Sequence, residues 1–393
     1  MPYQQSAIAK NRVVSPHRDR LLAAVDTIRD VLTVGADEAQ QLGHLPDSSV
    51  EALRDHDLYA MKTAAVVGGL ELDPLTFMEV LESVARIDGS TSWALMVGNG
   101  SSQIASSRLS DEAVQTVYGG SRPPVTAGTT LPGGTGRPVD GGLRVDGRWA
   151  FGSGAPNAEW ISSACTIDGT NPPEIRFFAA PRHDVTIIDN WQAVGLCGSG
   201  SGDYQLDDVF VPQAFIFQGD TPLRGGPLFH VPNLLTQEHI AVALGVAEHA
   251  LDELHTLATR TRRADTAPLG ETPAIQAFLG RSRLQLDAAR ALIVDTVGRT
   301  WDTVCAGQPV SATVPQETRA TAAYITDLAL EVATGAFRAA GGVAVYRDSP
   351  LQRCLADLNV AAQHTQVSAR RYEDYGRALL TPPDAAAPAT PSY

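Results

Sequence analysis

Cysteine is scarce. Only Cys165, Cys197, Cys305 and Cys354 occur in 393 residues, without a CxxC pair or a Cys/His cluster at zinc-ligand spacing. That pattern excludes a zinc ribbon or a disulfide framework and reads as four reduced thiols. Basic charge is also short: 30 Lys and Arg face 44 Asp and Glu, a net charge of -14. A nucleic-acid binder needs a basic footprint to displace counterions, so that class is excluded. Nor is there a polybasic patch for anionic lipid. No apolar run reaches the ~18 residues of a membrane span. The polar stretch Met1–Pro16 lacks the apolar centre of a signal peptide. A cytoplasmic protein without nucleic-acid or membrane partners is expected. No GxGxxG follows a strand-like run, so neither a Rossmann unit nor an NAD(P)H site is expected.

Apolar residues are plentiful, at 44% against 19% charged. A chain of this length supports two or three packed units. Three textures follow one another. From Asp19 to Gly119 the pattern is helical, with Leu21, Leu22, Val25, Ile28 and Leu32 at helical spacing. Ser48 or Ser49 is expected to cap a second helix, with Glu51 completing a capping box. Leu75–Ile87 and Ser90–Ala105 read as two more. From Arg122 to Gly226, glycine and proline punctuate short β-prone runs: Gly142–Phe151, Trp160–Thr166, Ile175–Ala179, Val185–Trp191 and Tyr204–Val211. A small barrel or sandwich is expected there. Beyond Pro232 come four long helical stretches, Leu234–Arg263, Pro273–Ala306, Pro315–Ala340 and Leu351–Leu379, which imply a bundle. The expected fold class is α+β, mainly α. Its divisions are a helical domain (1–121), a central β domain (122–226), a four-helix bundle (227–380) and a disordered Pro/Ala-rich tail (381–393).

Four stretches then stand out. Ala85–Trp93 carries Asp88 and Ser90, either of which can cap the helix bearing Trp93 and Asn99. Gly147–Gly154 ends in Gly152-Ser153-Gly154, with Trp160 beyond it. Trp191–Ser201 contains Gly195, Gly198, Ser199, Gly200 and Ser201, and leads to Val209-Phe210-Val211-Pro212. Ala340–Tyr346 contains Gly341-Gly342, and Pro350–Asp357 follows it.

In this order and spacing they resemble the acyl-CoA dehydrogenase superfamily, from about residue 20 to 380. The likeness is greatest to its oxygen-using branch, the two-component flavin monooxygenases. The resemblance implies an acyl-CoA dehydrogenase-like fold. It also implies a reduced flavin (FMN or FAD) delivered by a separate reductase, with O2 as co-substrate. A C4a-(hydro)peroxyflavin would oxygenate a small organic substrate, within a homotetramer.

It implies site residues too. Trp93 lies near the flavin ring. The Gly152-Ser153 turn offers a donor toward flavin N5, either the Ser153 hydroxyl or a backbone N–H. Ser199 and Ser201 touch flavin or substrate, and Asn99 and Gln363 are substrate candidates. Gly341 and Gly342 let backbone approach a neighbouring subunit's cofactor. Ala356 stands where relatives commonly carry a second arginine. Arg262 or Arg263 is expected to grip a flavin phosphate. The aromatic and glycine that usually follow are replaced by Ala264-Asp265, which fits a loosely held flavin, FMN better than resident FAD.

The deciding stretch is Ala362-Gln363-His364-Thr365. Acyl-CoA dehydrogenases commonly carry Tyr-Glu-Gly-Thr there, the Glu being the base that strips the thioester's α-proton. An amide takes up no proton at neutral pH, whereas imidazole titrates near 6.5. Two other readings remain open. A dehydrogenase would place its base on the first bundle helix, near Glu238. A non-catalytic relative would keep the fold as an oligomeric binding protein.

Overall fold

The computed structural model describes residues 15–219, 221–260 and 268–381. Six helices come first: α1 (Arg18–Thr27), α2 (Arg29–Leu42), α3 (Asp47–Asp55), α4 (Pro74–Ala85), α5 (Gly89–Arg108) and α6 (Asp111–Tyr118). Eight strands follow: β1 (Thr126–Ala127), β2 (Gly134–Val139), β3 (Gly142–Trp149), β4 (Trp160–Ile167), β5 (Ile175–Pro181), β6 (Thr186–Ile188), β7 (Asp203–Pro212) and β8 (Ile216–Phe217). The rest is helical: α7 (Leu234–Thr259), α8 (Pro273–Cys305), α9 (Val314–Ala340), α10 (Pro350–Ala361) and α11 (Arg370–Leu380). The mainly helical α+β fold is thus as expected.

Local chemistry explains several boundaries. Asp73 caps α4 by accepting from the Thr76 N–H, with Pro74 at the first position, where no donor is needed. Asp88 caps α5, its Oδ2 accepting from the N–H and hydroxyl of Thr91, both at 2.7 Å. The expected cap at Ser48 or Ser49 is corrected. Helix α3 begins at Asp47 after Pro46, and no side chain caps it. Its predecessor is divided too, with Ile28 between α1 and α2.

The strands form one mixed sheet in the order β6-β7-β3-β2-β4-β5-β8, with β1 added parallel to β4. Trp149, Phe178 and Tyr204 fill its core, the Trp149 and Tyr204 rings stacked 5.6 Å apart. Strand β2 was not foreseen. Its glycines and Pro138 argue against a strand, yet Gly134 is required because a Cβ there would meet the Trp149 ring at 2.8 Å.

Helix α7 is central and buried on nearly every face between Leu234 and Leu251. It packs against α4, α5, α9 and α10, so the amino-terminal helices and the bundle share one core. At Gly245 a Cβ would lie 2.4 Å from the Glu82 carbonyl oxygen, which explains the close α4–α7 approach. Gly195 does the same for the loop after β6, where a Cβ would lie 2.2 Å from the Ala356 carbonyl. The segment Val314–Val345 is long and apolar enough to cross a membrane. Here its Ile325, Ala329, Val332 and Ala336 belong to the shared core.

The last expected helix is interrupted. Helix α10 stops at Ala361, a 3-10 turn spans Thr365–Val367, and α11 starts at Arg370. Arg371 donates to the Thr365 carbonyl from Nη2 (2.8 Å) and Nε (3.2 Å), satisfying an acceptor freed by the break. His364 therefore sits at the start of the turn, not within a helix.

Candidate functional site

The site is assembled where the turn after β3, the amino-terminal half of α5, the start of α7 and the α10–α11 break converge. At the turn the backbone leaves little choice of donor. The Gly152 N–H donates to the Gly202 carbonyl, Ser153 N–H to Phe151, and Gly154 N–H to Ser199, at 2.8 to 2.9 Å. All three backbone donors are therefore spent, and the Ser153 hydroxyl is the one group free to rotate. Gly152 cannot be serine here, because a Cβ would meet the Tyr204 ring at 2.4 Å.

Ser153 belongs to a chain of buried hydroxyls. Trp93 Nε1 donates to Ser153 Oγ (3.1 Å), Ser153 Oγ lies 2.7 Å from Ser201 Oγ, and Ser201 Oγ lies 2.7 Å from Ser199 Oγ. Ser199 Oγ donates to the Leu196 carbonyl at 2.7 Å. A carbonyl only accepts, so the Ser199 proton is committed. Ser201 must then donate to Ser199, and Ser153 to Ser201. One direction of donation, from Trp93 to Leu196, satisfies every member.

Above this chain three rings meet. Trp93 stands edge-on to His239 (centroids 5.3 Å, 77°) and to His364 (5.9 Å, 71°). The two imidazoles are 5.7 Å apart. His364 Nδ1 accepts from the Gln366 N–H at 3.3 Å, which puts the proton of the neutral ring on Nε2. Burial, and then the charge of Arg371, hold His364 below its ordinary range. His239 is 2% exposed, and neither of its nitrogens has a hydrogen-bond partner among the described residues. Burial, helped by His364, pushes it down to about 3. The sequence alone does not set His239 apart from its neighbour Glu238. The available signal was a polar ring in a helix apolar on all sides.

Glu238 is engaged by one oxygen, its Oε2 having no hydrogen-bond partner among the described residues. Its Oε1 pairs with Lys62 Nζ, and both side chains are 1% exposed. Burial raises the carboxyl and lowers the ammonium, while their mutual attraction opposes both shifts.

The two expected substrate residues have partners within the chain. Asn99 is fully buried and serves the backbone: its amide NH2 donates to the Leu58 and Leu95 carbonyls, and its oxygen accepts from Lys62 N–H. Gln363 is exposed and folds back on the Asn359 carbonyl at 3.4 Å. Gln366 faces inward instead, accepting from Thr236 Oγ1 at 3.3 Å. Gly341 and Gly342 lie exposed after α9, away from the ring cluster in the chain's own fold, Gly341 with φ +68°. Arg262 and Arg263 lie outside the described residues. A cavity of about 430 Å³ between α8 and α9, lined by Phe278, Arg281 and Arg338, contains none of the cluster.

The arrangement suits a planar, hydrogen-bonding ring system. It offers a rotatable buried donor at Ser153 and an orphaned buried imidazole at His239. Phe151 adds a 72% exposed aromatic face, edge-on to Trp191 at 6.5 Å. These features fit an isoalloxazine.

Comparison with known proteins agrees. A family profile described as acyl-CoA dehydrogenase, N-terminal domain, matches residues 17–117, and one described as acyl-CoA dehydrogenase, C-terminal domain, matches 238–369. Indole-3-acetate monooxygenase of Pseudomonas putida is 31% identical over 90% of this chain and 91% of its own. The flavin-dependent monooxygenase oxygenase subunit HsaA of Rhodococcus jostii (strain RHA1) is 27% identical over 91% of this chain and 96% of its own. The solved structure of XiaF from Streptomyces sp., in complex with FADH2 and glycerol, superposes with a TM-score of 0.86. It is 26% identical and covers 95% of this chain and 98% of its own.

Proposed function

The chain belongs to the acyl-CoA dehydrogenase superfamily, among its flavin-dependent monooxygenases, and from that premise we propose how its residues divide the work. It is the oxygenase component of a two-component system, taking reduced flavin from a separate reductase and O2 to oxygenate a small molecule. One observation carries the assignment of roles: among the described residues the ring cluster holds two imidazoles, while the neighbouring Glu238 carboxylate is paired through Oε1 with Lys62. A dehydrogenase acting on an acyl thioester would have to free that carboxylate from the Lys62 ammonium before using it as a base.

Bound reduced flavin supplies the electrons that activate O2. The protein's contribution is to place donors and exclude water. Ser153 Oγ would accept from the N5–H that reduced flavin carries, keeping its own proton on Ser201 while the Trp93 N–H holds it in place. Trp93 and His239 close the interior side with buried surface. His364, half-buried with Nε2–H free, donates to the reacting oxygen or takes the substrate's proton. Gly341 and Gly342 meet the cofactor of a neighbouring copy in a homotetramer, which operates in the cytoplasm. The loose flavin grip favours FMN or FAD exchanged with the reductase over a resident cofactor.

The test is a reductase-fed assay with FMN and FAD, run beside an acyl-CoA titration. Oxygenated product that forms only when the chain, free reduced flavin and O2 are all present supports this reading. A protein that arrives yellow and bleaches with acyl-CoA refutes it.

A further inference from the structure

We propose that Asp357 is a positioning residue: through the Leu196 peptide it fixes the direction of the buried hydroxyl chain, and so sets how strongly the site prefers reduced over oxidised flavin. The inference rests on the flavin placement at Ser153 given above and deepens it.

The observation is the set of bonds on one residue. Leu196 is where the hydroxyl chain ends. Its carbonyl accepts from Ser199 Oγ (2.7 Å), Trp191 Nε1 (2.9 Å) and the Ser199 N–H (3.1 Å). Its own N–H donates to Asp357 Oδ1 at 2.6 Å. Leu196 also holds φ +49°, a left-handed backbone that its Cβ makes unfavourable. Such a conformation persists only where neighbours hold it. From α10 the hold is Asp357, together with the seating of Gly195 on the Ala356 carbonyl. Asp357 is buried, and among the described residues no cation pairs with it. Arg353, one turn earlier, pairs with Asp37 on α2 instead.

A charged acceptor makes a hydrogen bond about twice as strong as a neutral one, and bonds in series strengthen one another. Ionised Asp357 therefore makes the Leu196 carbonyl the better acceptor. That holds the Ser199 proton in place and keeps Ser201 and Ser153 donating toward Leu196. In this direction Ser153 Oγ presents a lone pair, which suits the N5–H of reduced flavin. Toward the bare N5 of oxidised flavin, Ser153 has to turn its proton away from Ser201. The groups facing Asp357 are Asp88 at the start of α5, Cys197 in the loop, and Arg353 and Cys354 on α10, with His249 and Glu253 of α7 beyond them. Burial, and then Asp88, raise the carboxyl to about 7, opposed by the Leu196 N–H and Arg353. The charge is thus present above that value and lost below it, so the preference for reduced flavin grows as pH rises through it.

The experiment titrates the full chain with oxidised FMN and, anaerobically, with reduced FMN, from about pH 6 to about pH 8. Wild type, Asp357→Asn, Ser199→Ala and the double variant are compared by the ratio of oxidised to reduced dissociation constants. Flavin's own protonation and that of His364 are common to wild type and Asp357→Asn, so the difference between these two isolates Asp357. Asparagine keeps the shape and the carbonyl acceptor for Leu196 but not the charge. The wild-type ratio should match that of Asp357→Asn at the acid end and exceed it roughly three- to tenfold at the alkaline end. In the Ser199→Ala background, where the link is cut, Asp357→Asn should change the ratio by less than about twofold. Equal loss of both flavin forms, or a difference that does not vary with pH, marks a structural role and overturns the proposal. So does an effect that persists in full without Ser199. Wild type that binds neither form overturns the flavin site, and this inference with it. Normal binding in which Asp357→Asn tracks wild type at every pH overturns this inference alone. Should Asp357→Asn fail to fold, wild type against Ser199→Ala decides: a flatter profile in Ser199→Ala supports the proposal, and parallel profiles overturn it.

Discussion

Removing Ser201 should tighten oxidised flavin while weakening the protein. In the flavin-free chain Ser153 gives its proton to Ser201, because Ser201 must give its own to Ser199, and Ser199 to the Leu196 carbonyl. Reduced flavin carries a hydrogen on N5, which Ser153 Oγ accepts with the chain undisturbed; oxidised flavin has a bare N5, and turning the Ser153 hydroxyl toward it breaks one internal hydrogen bond. Ser201 cannot repair it, having one proton for two neighbours. A net hydrogen bond of about 0.5–1.5 kcal/mol is the opposing term. Ser201→Ala removes the competing acceptor, so the dissociation constant for oxidised flavin should fall roughly two- to tenfold while that for reduced flavin changes less. Without flavin the same variant strands the Ser153 donor and should lose about 1–3 kcal/mol of stability. Ser153→Ala should weaken both flavin states instead, and leaves the Trp93 N–H unpaired. Titration with oxidised FMN and FAD, anaerobic titration with the reduced forms, and denaturant unfolding of the flavin-free proteins read these effects. If Ser201→Ala weakens oxidised flavin as much as Ser153→Ala does, the direction of donation is wrong.

Three further outcomes are expected. His364→Ala should release more hydrogen peroxide per reduced flavin oxidised and form less product, with the fold intact; unchanged coupling would remove His364 from the mechanism. Burial, and then Asp88, raise the Asp357 carboxyl from 3.8 to about 7, its Oδ1 accepting the Leu196 N–H. A raised carboxyl adds stability that is full below its ordinary range and lost as pH climbs through 7, here roughly 4 kcal/mol between about pH 4 and 7. His239 tilts stability the opposite way in acid, so the comparison must be variant against wild type at fixed protein concentration: Asp357→Asn should flatten the decline, and an unchanged slope of denaturation midpoint with pH contradicts this. Lys62→Met strands the Glu238 carboxylate and should destabilise by about 3–5 kcal/mol, whereas Lys62→Met with Glu238→Gln should recover most of it in denaturant melts.

What the sequence revealed was mostly local. Asp88 caps its helix within three residues, and the Ser153, Ser199 and Ser201 cluster follows from two glycine-rich turns brought together by β3 and β7 pairing. Gly195 marks a close approach that composition alone makes plausible. What it hid is tertiary. Nothing local breaks the stretch after Ala361; the break is held by Arg371 on Thr365 and by packing on α9. Asn99 resembles a pocket residue until Leu58 and Lys62 claim its amide. An orphaned imidazole such as His239 reads like any core histidine until its neighbours are known. Strand β2 escapes notice because its glycines serve Trp149 and not the strand.

Isotopic labelling tests the central claim most directly. The chain is supplied with enzymatically reduced flavin under 18O2 and offered a panel of small organic molecules with oxidisable C, N and S atoms, and product is examined by mass spectrometry. The account predicts one oxygen atom from the gas in each product molecule, and none when the protein is omitted. Flavin oxidation that yields only hydrogen peroxide across the panel, together with bleaching by an acyl thioester, would contradict it.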